Sequence, residues 1–100
     1  MGARRLSASI ISNEKKCFIC GYPFHLHRHH IFFGSANRKL SERYGCWVYL
    51  CPRHHNMSKF GIHEDTKLDK SLKKYCQEIF EKHYNVTTEK FIEIFGRSYK

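Results

Sequence analysis

Residues 17–20 read CFIC and residues 51–54 read CPRH. Each is a pair of ligands three positions apart, the spacing at which two side chains on a tight turn or a first helical turn point at one ion. Thiolate with imidazole is a preferred tetrahedral zinc set, so Cys17, Cys20, Cys51 and His54 are expected to hold a structural Zn2+. A chain of 100 residues makes one domain with a small core and needs such a staple. A closed zinc site contributes on the order of 10 kcal/mol to folding. The alternative is a Cys17–Cys20 redox pair with Cys51 merely buried, and it lacks the surrounding βαβ pattern.

Between the two halves of the clamp, FHLHRHHIFF (24–33) alternates imperfectly between apolar residues and histidine, as a half-buried strand does, until Gly34. In NRKLSERYG, Leu40 and Tyr44 stand four apart, with Asn37 placed to cap a short helix and Gly45 to end it. CWVYL (46–50) is a second β-prone run, and Pro52 suits the first turn of a helix carrying His54, His55 and Met57 before Gly61. One zinc would then clamp both ends of a β-β-α unit.

Downstream, Thr66 with Asp69 resembles a capping box, and Leu68, Leu72, Tyr75, Cys76, Ile79 and Phe80 recur at helical spacing opposite a Lys, Glu and Gln face. TTEKFIEIFG repeats the pattern with Phe91, Ile92 and Phe95 before Gly96. These stripes read as core, as do Cys46 and Cys76. Residues 1–16, with Arg4, Arg5, Lys15 and Lys16 among small polar residues, read as a flexible basic arm. The expected organisation is therefore α+β: an arm (1–16), a zinc-stapled core (17–63) and a helical extension (64–100).

Eighteen Lys and Arg against nine acidic residues give a formal charge of +9. That excess points to a polyanion, by default nucleic acid, unless it serves solubility alone. Arg28, Arg38, Lys39, Arg43 and Arg53 flank the histidines and are expected contacts to the DNA backbone. No apolar run is long enough to span a bilayer, residues 1–16 lack a secretory segment, and Leu6 breaks the myristoylation pattern. Five cysteines, an odd number, fit a reducing interior, so a soluble cytoplasmic protein with no membrane partner is expected.

The histidines remain. Imidazole serves as metal ligand and as proton acceptor near neutral pH, although a cluster of them can also be a solvated patch. Adjacent strand residues face opposite ways, so His29 and His30 cannot share one ion without a bulge. One of them is expected to bind a metal with a ligand from the following helix, and the other to take a proton from water. His25 and His27 have the parity of His29 and are expected on its face, with His27 a secondary candidate for metal or substrate contact.

HRHHIF followed by YLCPRHHN, bracketed by Cys17-x-x-Cys20, resembles the HNH endonuclease superfamily of the ββα-metal, treble-clef-like class. More narrowly, it resembles small HNH proteins of phages and prophages of Gram-positive bacteria. The resemblance covers residues 17–63 and implies a ββα-metal core extended by amphipathic helices. It implies His29 and His55 as catalytic metal ligands, His63 or Asn56 as a further one, and His30 as the general base. The implied activity is DNA phosphodiester hydrolysis, one strand per site, with one divalent metal, Mn2+, Mg2+, Ni2+ or Zn2+. A bacterial host cytoplasm and phage packaging partners follow by analogy.

The chain departs from that pattern where a central Asn is common, five residues before Cys51. Cys46 stands there, and Asn37 is the secondary candidate for its role. The competing reading is a noncatalytic zinc-stabilised nucleic-acid-binding module, which leaves His29, His30 and His55 idle.

Overall fold

Residues 8–55 and 66–100 are described by the structure, a computed structural model. Met57, Gly61 and the candidate ligands Asn56 and His63 lie outside the described residues. In chain order the elements are β1 (His27–His30), α1 (Ser35–Tyr44), β2 (Trp47–Leu50), α2 (Pro52–His55), α3 (Thr66–His83) and α4 (Thr88–Phe95). The two strands form an antiparallel sheet in which His27 pairs with Leu50, Arg28 with Tyr49, His29 with Val48 and His30 with Trp47. The architecture is α+β, as the residue patterns predict.

β1 is shorter than the expected run over 24–33, for a local reason at each end. His25 has φ +55°, a left-handed backbone that turns the chain out of extended geometry. Past His30 the alternation stops: Ile31 and Phe32 are both buried. Phe32 is fixed by Ser41, whose Oγ donates to its carbonyl at 2.7 Å and accepts from its N–H at 3.1 Å.

α1 starts before Asn37, at a Gly34 cap that offers no side-chain acceptor. Asn37 lies inside the helix, where its Nδ2 donates to the Phe95 carbonyl at 3.3 Å and ties α1 to the end of α4. Gly45 closes α1 at φ +74° in the left-handed region. There the segment from residue 8 docks, and Ala8's carbonyl stands where a Cβ on Gly45 would be.

That docking corrects the expectation of a flexible arm for residues 8–16. The Ile10 N–H donates to the Gly45 carbonyl at 2.9 Å, and the buried Ser9 donates from Oγ to the Trp47 carbonyl at 2.6 Å. Asn13 and Ser9 exchange two further bonds, and Ile10 and Ile11 pack against the core.

The core gathers Ile31, Phe32, Val48 and Leu50 from around the sheet with Leu72, Cys76 and Phe80 of α3 and Phe91 and Phe95 of α4. The phenylalanines meet ring to ring, Phe32 with Phe95 at 4.7 Å and Phe80 with Phe91 at 5.3 Å between centroids. Tyr75, expected inside, is exposed. Gln77, expected outside, is buried, because the chain end needs a partner there. Its Oε1 accepts from the Tyr99 N–H at 2.6 Å, and its Nε2 donates to Ser98 Oγ at 3.1 Å and Glu81 Oε2 at 2.9 Å.

Cys46 and Cys76 are both fully buried, as expected. A hydrogen bond with Cys46, reinforced by burial, pushes the Cys76 thiol far above its ordinary value and keeps it protonated. Thr87 caps α4, accepting from the Lys90 N–H at 3.1 Å. No helix among the described residues is long and apolar enough to cross a membrane.

Candidate metal centre

The first half of the clamp is a tight turn. The Cys17 N–H donates to the Tyr22 carbonyl and the Gly21 N–H returns to the Cys17 carbonyl, both at 2.8 Å, with Gly21 at φ +82°. The Phe18 N–H donates to the Tyr49 carbonyl at 2.8 Å, which lays this turn against β2. The second half is the start of α2, where the His54 and His55 N–H groups donate to the Cys51 carbonyl at 3.1 and 2.9 Å.

Together these turns bring one ligand atom from each of Cys17, Cys20, Cys51 and His54 within 4.8 Å of all the others. A tetrahedral ion with Zn–S of about 2.3 Å and Zn–N of about 2.0 Å sets S···S edges near about 3.8 Å and S···N edges near about 3.5 Å. The structure has Cys20 Sγ to Cys51 Sγ at 3.7 Å, Cys51 Sγ to His54 Nδ1 at 3.3 Å and Cys17 Sγ to His54 Nδ1 at 3.8 Å. The four residues therefore fit a structural zinc in donor set and in spacing.

Burial opposes ionisation of the Cys17 thiol, but hydrogen bonds from the backbone of Cys51, Cys20 and Ile19 outweigh it and bring the pKa below its ordinary value. For Cys20 a backbone hydrogen bond at Tyr22 favours the thiolate. Burial and the neighbouring Cys17 and Cys51 sulfurs outweigh that bond and raise the pKa. Thiolates this close repel one another, and a cation among them removes that penalty.

The next residue along α2 turns the other way. His55 Nδ1 lies 3.0 Å from His27 Nδ1, and the His55 ring centroid is 5.0 Å from that of His27 and 5.4 Å from that of His29. The His55 ring thus packs against the rings of both His27 and the buried His29, although among the described residues only the Cys17, Cys20, Cys51 and His54 group brings three or more ligand atoms close enough for one ion. Two nitrogens at about 2.1 Å from one ion and at right angles stand about 3.0 Å apart; a shared proton gives a similar separation. His25 does not join them, contrary to its expected parity. Its left-handed backbone places it on a groove of about 600 Å³ with Cys20, Tyr22, Cys51, Pro52, Arg53 and His54.

His30 points to the opposite side of β1, as strand geometry requires. Its Nε2 is 2.8 Å from Glu42 Oε1, while Glu42 Oε2 accepts from Arg28 Nη1 at 2.7 Å. The Arg28 guanidinium lies 3.7 Å above the Trp47 ring. Arg28, expected as a DNA contact, is thus held within the fold. Sequence reasoning missed Glu42, although the available signal was its standing as the one carboxylate in α1.

The other expected backbone contacts, Arg38, Lys39 and Arg43 on α1 and Arg53 on α2, are exposed. Lys39 and Arg43 line a shallow depression with Ala36 and Leu40. Asn37 is engaged with α4, and Cys46 is sealed in the core. No protein-family model, curated protein or solved structure matches the chain.

Proposed function

We propose that the chain is a metal-dependent DNA endonuclease, a zinc-stapled ββα-metal module of the HNH kind. One observation carries the reading: His29 meets His55 on one side of β1 while His30 is held by a carboxylate on the other. That is the division of labour expected of a ligand beside a base. A divalent ion, Mn2+, Mg2+, Ni2+ or Zn2+, held by His29 and His55 with His27 beside them would stabilise charge on the scissile phosphate and the leaving oxygen. Imidazole ligands favour a transition metal over magnesium.

His30 supplies the proton chemistry. Its Nε2 is engaged by Glu42, and its Nδ1 takes a proton from water. The resulting hydroxide forms a bond to phosphorus, the bond from phosphorus to the leaving ester oxygen breaks, and that oxygen takes a proton from solvent. His30 then returns its proton to solvent. General-base assistance of this sort contributes roughly 100- to 10,000-fold.

The +9 charge and the exposed Arg38, Lys39, Arg43 and Arg53 support a phosphate backbone as partner. A host cytoplasm and phage packaging partners rest on the resemblance alone. The rival, a noncatalytic binding module, leaves the Glu42-held His30 without a task.

The test is conversion of supercoiled plasmid by protein that retains its clamp zinc but has been freed of other divalent ions, on addition of each divalent ion. Nicked circles are expected to form with at least one ion. His30→Ala is expected to abolish them while retaining the plasmid mobility shift. Binding without nicking under every ion, by protein whose zinc content shows it folded, would establish the noncatalytic module instead.

A further inference from the structure

The group that holds His30 is itself held from two sides. Arg28 and His30, two apart on β1, present their side chains to the same face, and Glu42 of α1 divides its two oxygens between them. The carboxylate cannot rotate without losing both bonds. Arg28 in turn stacks on Trp47, the cross-strand partner of His30. The side chains of Arg28, His30 and Glu42 are 20–24% exposed, where charge-assisted bonds keep their geometry better than on an open surface.

We propose that Glu42 is the positioning residue of the reaction, holding His30 in the tautomer that leaves Nδ1 as the base; this rests on the reading of His30 as the base. A neutral imidazole carries one N–H, and an ionised carboxylate can only accept. The pair therefore places the proton on Nε2 and the lone pair on Nδ1, which makes no hydrogen bond among the described residues. Arg28 fixes Glu42 and through it the ring plane.

The position usual for the central Asn gives no help, because Cys46 is buried against Cys76. Orientation of His30 falls to Glu42, which lies twelve residues along the chain. Arg28 is consequently a support for the site rather than a DNA clamp. Its loss should change turnover more than plasmid affinity.

The experiment pairs two readouts on zinc-loaded full-length protein. Long-range 15N–1H correlation spectra at a pH where His30 is neutral report its tautomer, and plasmid-nicking kinetics report kcat and KM. The wild type is expected to show the Nε2–H form. Glu42→Gln, whose amide can donate or accept, is expected to mix the tautomers and lower kcat by about 10- to 100-fold with KM unchanged, as loss of a partner behind a functional histidine does. Arg28→Met is expected to shift both readouts the same way by less.

An Nδ1–H tautomer in the wild type overturns the proposal. So does a Glu42→Gln protein of wild-type kcat, or one whose loss lies in KM. If Glu42→Gln fails to hold zinc, the wild-type tautomer and Arg28→Met decide. A wild type that never nicks DNA overturns the nuclease reading, and the tautomer in the same samples then decides separately whether Glu42 sets His30.

Discussion

Glu81 shows how single residues set the stability of this fold. It accepts from Gln77 at 2.9 Å, from Thr88 at 3.0 Å and from Lys100 at 3.0 Å. Burial disfavours its ionised form, but the bonds from Gln77, Lys100 and Thr88 outweigh burial and hold its pKa below the usual glutamate value. The folded state therefore binds this proton less tightly than the unfolded chain does. The resulting stabilisation is complete above the unfolded carboxylate range and disappears as pH falls through the lower, folded pKa. Thermal unfolding from neutral to acid pH is expected to show Glu81→Gln less stable than the wild type at neutrality and converging with it in acid. A constant difference across that range would contradict this. At the same scale, the four candidate metal ligands were legible because both pairs are local in sequence. Glu42 and Gln77 were not, since their roles depend on partners from distant segments, β1 for one and the chain end for the other.

Among elements, the turn after α1 is the most exacting. Gly45 adopts φ +74° and faces Ala8's carbonyl, so a side chain there meets both backbone strain and a collision. Gly34, at φ +103° and ψ 158°, has open space around its missing Cβ but a backbone conformation that strains any side chain. Gly45→Ala is expected to lower unfolding free energy by about 2 kcal/mol or more, with faster hydrogen exchange at the Ile10 amide, whereas Gly34→Ala is expected to leave that amide's exchange relative to global unfolding unchanged. Denaturant unfolding and amide exchange of the two variants measure these effects. Unchanged Ile10 exchange in Gly45→Ala would mean that the docked segment does not matter. The order of strands and helices could be read from periodicity and from Gly and Pro punctuation. Their ends could not: the left-handed His25 cuts β1 short, and Ser41 draws Phe32 inward where alternation alone would continue the strand. The arm misled for a related reason, because its anchors are backbone groups of Gly45 and Trp47, which no side-chain pattern announces.

At the scale of the molecule, the sheet and α2 face two ways at once. Consecutive residues of α2 serve different clusters, His54 beside three sulfurs and His55 beside His27 and His29. On the proposed reading, one small domain carries a closed site for folding and an open site for chemistry, with the basic surface bringing DNA to the second. The most direct test is titration of metal-free protein with Co2+, followed by visible absorption. The first equivalent is expected to give thiolate-to-cobalt charge transfer and the intense bands of a tetrahedral ion, abolished by Cys51→Ser. The second is expected to give the weak bands of a more highly coordinated, open site, abolished by His55→Ala while the first remains. Saturation at one equivalent, or thiolate ligation of both ions, would contradict a second, histidine-held site.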